Sequence, residues 1–140
     1  MTARVAGLLA GLMVMGAYAV SAEHEVYYRY VVLGYVKDVR GHPLPARAVQ
    51  LVRDKTGFSY LSDSDEDGLF IIVARLGDES LGETLTLRVG ELTTQLTARF
   101  DAANHQEERG TRIDLEGAKF VERPAWFRPT LAHVLGSPPR

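Results

Sequence analysis

The chain has 140 residues, 46% hydrophobic and 24% charged, with 16 Lys and Arg against 18 Asp and Glu and no cysteine. A domain of this size buries a core without staples, and a formal charge of −2 with neither sign gathered in a long block excludes nucleic acid or an anionic membrane surface as an implied partner. The lack of cysteine excludes disulfides, a lipobox anchor and a thiol nucleophile.

Residues 1–22 read as a secretory signal peptide. Arg4 supplies an early positive charge, Val5 to Val20 is apolar, and Ser21 and Ala22 are small residues ahead of acidic Glu23. The apolar run of 16 residues falls short of the roughly 20 that a membrane helix needs, so cleavage after Ala22 is expected, with an uncleaved anchor as the alternative. The mature chain then carries 15 Lys and Arg against 18 acids, and its expected location is periplasmic or secreted.

From Val26 to Val36 the composition is rich in Tyr and Val, which suit a pleated surface, and predicts a first strand. Gly41, Pro43 and Pro45 mark a reversal, followed by strands at Arg47 to Arg53 and Phe58 to Leu61 with a turn at Asp54 to Gly57 between them. Asp67-Gly68 turns the chain into a fourth strand, Leu69 to Leu76. Thr84 to Val89 and Leu92 to Phe100 both alternate with period two across Gly90-Glu91, which predicts a hairpin with one wet face. Asp101 to Glu108 has room for one helical turn. Gly110 to Leu115 is the last strand, with Ile113 and Leu115 inward and Arg112 and Asp114 outward. Seven short strands predict an all-β, seven-stranded antiparallel sandwich of immunoglobulin-like or transthyretin-like type over residues 23–117.

Residues 118–140 form an irregular tail, broken by Pro124 and Pro129 yet carrying Phe120, Val121, Trp126, Phe127, Leu131, Val134 and Leu135. In the fourth strand both faces are apolar, whereas a two-layer sandwich covers only one, so something must lie on the outer face. The tail either folds back onto that face, docks on a partner or stays disordered. In the second case Trp126, Phe127, Arg123, Arg128 and Leu131 are the contact residues, being types that anchor interfaces.

Gly34, Val36, Asp38, Gly41, Pro43 and Leu44, then Val49, Ser62-Asp63, Asp67-Gly68 and Phe70, resemble the pattern of the carboxypeptidase regulatory-like domain over about Tyr30 to Glu116. The resemblance implies a transthyretin-like sandwich serving as an exported, non-enzymatic accessory module, and it implies no particular ligand.

Two metal sites are open to consideration. Asp63, Asp65 and Asp67 before Gly68 match the first half of a calcium loop, but the twelfth position is Ala74 where a bidentate Glu is required. Cleavage after Ala22 leaves His24 second from the new amino terminus, a copper-chelating arrangement. The bland alternatives are a plain turn and an idle terminal histidine. No serine stands in G-x-S-x-G, and the C-terminal Tyr-Arg-Gly-Ser of the hydroxyisourate hydrolases, which share the transthyretin-like fold, is replaced by Gly136 to Arg140. Tyr27, Tyr28, Tyr30 and Tyr35 divide between two strand faces, which argues against a single carbohydrate platform. The expectation is therefore a non-enzyme without a cofactor, an accessory or structural subunit bound to another envelope or secreted protein. The alternative is a small-ligand or metal-binding periplasmic protein.

Overall fold

A computed structural model describes residues 26–136, so the leader and His24 lie outside the described residues. The described residues form eight strands: β1 (Tyr28–Lys37), β2 (Ala48–Arg53), β3 (Ser59–Asp63), β4 (Leu69–Leu76), β5 (Thr84–Val89), β6 (Leu92–Thr97), β7 (Arg109–Glu116) and β8 (Lys119–Glu122). A 3₁₀ turn at Pro124–Trp126 leads into helix α1 (Phe127–Gly136). Two four-stranded sheets, ordered β4-β1-β7-β8 and β3-β2-β5-β6, face each other across the main core.

Expectation and structure differ at four points. The described residues hold eight strands where seven were expected, because Lys119–Glu122 pairs antiparallel with β7. The first sheet is mixed, because β1 and β7 run parallel in its centre. The tail is regular: Pro124 and Pro129 fall in the opening turns of the 3₁₀ segment and of α1, where a missing N–H breaks no bond. Residues 101–108 hold no helix, since the Asp101 and Asn104 side chains accept the backbone N–H groups of Ala103, Gln106 and Glu107 and fold the segment into turns.

Alternation explains the core. Tyr30, Val32 and Val36 of β1 face inward with Phe70, Ile72, Ala74 and Leu76 of β4, against Val49, Leu51, Leu85, Leu87 and Leu96 of the second sheet. The opposite face of β1 is also apolar, and Val31 and Leu33 there are covered by Phe127 and Leu131 of α1, with Ile71 of β4 alongside. The tail therefore folds back on the first sheet. Its reach is partial, for Val73 farther along β4 remains 46% exposed. Burial of Phe127 and Leu131 contributes about 2 kcal/mol each.

The centre of the first sheet admits no side chain at two glycines. A Cβ on Gly34 would lie 1.7 Å from the carbonyl oxygen of Ile113, and one on Gly110 would lie 2.0 Å from the carbonyl of Val31 and 2.6 Å from the Phe127 ring. At one end of the second sheet, Arg53 of β2 grips Glu83, the residue before β5, through Nε–Oε1 at 2.8 Å and Nη2–Oε2 at 2.9 Å, with both side chains largely buried. The bond from Arg53 outweighs burial and holds the Glu83 carboxyl below its ordinary value.

Two outcomes follow from this packing. Gly34→Ala lowers the unfolding free energy by about 3 kcal/mol or more, read from urea denaturation, because the β1–β7 pair has to part. Glu83→Gln costs about 2 kcal/mol at neutral pH by the same measurement. A carboxyl depressed in the folded state stabilises above its ordinary value of 4.5 and stops doing so as pH falls through the folded value, so the urea midpoints of wild type and Glu83→Gln converge only in acid.

Candidate functional site

The outer face of the first sheet carries a buried charge. Asp114, on the central strand β7, is 2% exposed although alternation turns it away from the core. Its Oδ1 accepts the backbone N–H of Tyr35 at 2.9 Å. Its two oxygens also take Nε and Nη2 of Arg112 at 3.0–3.2 Å, and Oδ2 takes Nη1 of Arg123. Arg123 reaches Glu116 as well at 3.2 Å. Burial works against the Arg123 charge, but its bonds to Asp114 and Glu116 win and hold its pKa above the ordinary arginine value.

Above this carboxylate runs a chain of cation–ring contacts. The Lys37 ammonium lies 5.4 Å from the centre of the Tyr35 ring, and the Arg112 guanidinium lies 5.0 Å from the same ring and 5.1 Å from that of Trp126. Arg123 is also 5.1 Å from the Trp126 ring. Such contacts are worth about 0.5–1 kcal/mol each at exposed sites, and together they fix one indole orientation. Trp126 nevertheless stays 53% exposed. Thr130 ties the start of α1 to this array, donating to the Trp126 carbonyl at 2.6 Å and accepting Nη1 of Arg112 at 2.9 Å. Trp126, at the end of the 3₁₀ turn, and Thr130 and His133 of α1 lie along one side, and with Tyr35, Arg112 and Pro129 they line an open groove of about 410 Å³.

The residues singled out in the sequence are dispersed. Trp126 and Arg123 sit together in the array. Phe127 and Leu131 do not present a contact surface, since they are 3% and 7% exposed beneath α1. Arg128 points to the other side of the helix and pairs with Glu107 at 2.9 Å in solvent. Asp65 organises its own turn, its Oδ1 accepting the N–H groups of Asp67 and Leu69. Among the described residues no group of three His, Asp or Glu side chains, Asp63, Asp65 and Asp67 included, is placed to hold a metal ion. Tyr35, Arg112 and Asp114 form a unit that sequence reasoning does not assemble. Their one signal was Arg-x-Asp on the same face of a strand beside an Arg- and Trp-bearing tail.

A second polar cluster closes one end of the molecule. Arg109 is 7% exposed, with its guanidinium 4.8 Å from the Tyr28 ring centre and 4.3 Å from that of Phe100. It donates to Asp78 at 2.9 Å and to the carbonyls of Asp101 and Asn104. His105 stacks on Tyr28 with centroids 4.3 Å apart and meets Asp78 at 2.8 Å. Burial pushes the Asp78 carboxyl up, yet the bonds from His105 and Arg109 prevail and hold it below its ordinary value. The Arg109 donors are spent on Asp78 and on the backbone of the 101–108 segment, and His105 ties that segment to Asp78 and to Tyr28 of β1.

Among the described residues no helix is long and apolar enough to cross a membrane. No protein-family model matches the sequence, and no curated protein matches it. Among solved structures, a dioxygenase domain from a dioxygenase carbohydrate-binding protein fusion of the cellulolytic bacterium Streptomyces sp. SirexAA-E is similar at 19% identity, over 66% of this chain and 81% of that one, with a TM-score of 0.48.

Proposed function

We propose that this protein is an exported, non-catalytic β-sandwich module, of immunoglobulin-like or transthyretin-like type, that serves as an accessory subunit by binding another envelope or secreted protein through the Trp126 array. The observation that carries the reading is an indole 53% exposed yet held by two guanidiniums, both of them bonded to the buried Asp114 carboxylate. Interfaces draw most of their energy from a few Trp, Tyr and Arg side chains, and an orientation set before binding avoids the entropy cost of ordering. Tyr35, Arg112 and Arg123 are of those types and surround Trp126. The turn-and-core pattern resembling the carboxypeptidase regulatory-like domain, together with the leader-like residues 1–22, supports an exported accessory role.

The apolar side of the tail is not the contact in this reading, because Phe127 and Leu131 already cover the sheet. The two roles separate experimentally. Phe127→Ala lowers the unfolding free energy by about 3 kcal/mol, whereas Trp126→Ala, which gives up two exposed cation–ring contacts, lowers it by about 1–2 kcal/mol. Protein captured from native envelope extract on the wild type is purified and titrated against both variants. Trp126→Ala raises its Kd about 30-fold or more, while Phe127→Ala, below its melting temperature, leaves the Kd within a few-fold. Equal binding by wild type and Trp126→Ala, or capture of nothing by the wild type, refutes the assignment.

A further inference from the structure

The four sheet edges of this sandwich are not equally protected. At β4 the Arg75 N–H is capped by the Tyr60 hydroxyl at 3.1 Å, and β3 lies beside β4 and ends in Asp63. At β8 the edge is four residues long and begins with Lys119 and ends with Glu122. These are the devices by which edges avoid pairing: side-chain capping, shortness and charge. The β6 edge has none of them. Leu92–Thr97 reads Leu-Thr-Thr-Gln-Leu-Thr, without charge, proline or glycine, and its register with β5 is unbroken from Val89↔Leu92 to Thr84↔Thr97.

Its free hydrogen-bonding groups are identifiable. Ala98 donates its N–H to the Glu83 carbonyl, toward the β5 side. Antiparallel alternation then turns Leu92, Thr94 and Leu96 to β5 and leaves the N–H and C=O groups of Thr93, Gln95 and Thr97 facing outward. Thr93 and Gln95 are exposed and Thr97 is half-buried. Among the described residues no strand pairs with this row.

We propose that the β6 edge pairs antiparallel with the β6 edge of a second copy of this chain, with the two-fold axis at Gln95. In that register Gln95 faces Gln95 and Thr93 faces Thr97 of the second copy, all with outward-facing backbone groups, giving roughly six inter-chain hydrogen bonds. Alternation also matches: Thr94 meets Leu96, and Leu92 meets Ala98, so the core faces of the two sheets continue. Charge complementarity selects this register. Glu91, at one end of the strand, comes opposite Arg99 of the second copy, and the symmetry repeats the pair at the other end; both side chains are exposed. Centring on Thr94 instead loses both ion pairs and roughly two of the backbone bonds. The product is a continuous sheet, β3-β2-β5-β6 joined to its symmetry mate, with the Trp126 array of each copy on the other sheet and left open.

Sedimentation equilibrium on the purified protein tests the pairing, with circular dichroism reporting the fold. The wild type is expected to form a concentration-dependent dimer. Gln95→Lys sets like charges on the two-fold and Gln95→Pro deletes an outward N–H that the monomer does not use, so each raises the dimer Kd about 100-fold with the monomer fold unchanged. Glu91→Arg raises it about tenfold, and adding Arg99→Glu restores it. A monomer at every concentration up to about 1 mM, or a dimer indifferent to both Gln95 variants, overturns the proposal. A double charge swap no tighter than Glu91→Arg alone overturns the register.

Discussion

Asp114 is the constraint around which one side of this molecule is arranged. Its carboxylate lies on the outer face of the central strand β7, a face that most two-layer sandwiches leave to water, and it is 2% exposed. A buried carboxylate without partners would take up a proton or unfold its surroundings. Here Arg112, Arg123 and the Tyr35 N–H meet it from three segments of the chain. The arrangement is self-consistent in one geometry only. Arg123 reaches the carboxylate because β8 brings the chain back along β7, and Arg112 reaches Thr130 because α1 begins at Phe127. Removing either arginine leaves a half-neutralised buried charge, which costs more than the pair contributes over an apolar replacement. Such a group acts more as a register pin than as a source of stability.

The two sheets are treated differently for a reason that lies in their strand content. In the second sheet the outward residues of β5 and β6, Thr84, Thr86, Arg88, Thr93, Gln95 and Thr97, are polar and need no cover. In the first, β1 is apolar on both faces, which in other folds marks a strand buried between layers. The parallel β1–β7 pair belongs to the same pattern, since parallel strands are found where both sides are covered. A short helix provides that cover over Val31, Leu33 and Ile71, and the array of rings and cations provides it over Asp114. The described residues thus include a partial third layer on the outer face of the first sheet.

Local signals made much of the fold legible. The strands at Leu69–Leu76 and Thr84–Val89 agree with the periodicity to the residue, because Asp67-Gly68 and Gly90-Glu91 close turns whose chemistry is local. The expectation that something must cover the fourth strand's outer face was sound, and the tail does so at Ile71. The parallel partner of β1 was not legible, because it lies 79 residues away and no turn links the two strands. The helix is not legible because Pro124 and Pro129 read as breakers in the sequence, whereas both occupy opening turns. At the site, residue type pointed to Trp126 and Arg123, yet the same reasoning grouped Phe127 and Leu131 with them, although the helical period turns these to the sheet. Period two placed Arg112 and Asp114 outward correctly; what it could not convey is that outward here still means buried, since that depends on a segment which joins the sheet only in three dimensions.

The Trp126 array and the β6 edge lie on different sheets, and this has an energetic consequence. The Trp126 array stands on the outer face of the first sheet and the β6 edge on the rim of the second, so occupation of one does not consume the other. A two-fold dimer through β6 carries two identical arrays. For a partner present in repeated copies along an assembly, the second contact is then intramolecular, and its strength is governed by effective concentration in place of a new interface. A single indole with its surrounding arginines makes a small footprint, of a size that by itself suits transient binding. Duplication by symmetry raises such a contact to durable attachment without enlarging it, which is a use for an unguarded edge that stability alone does not supply.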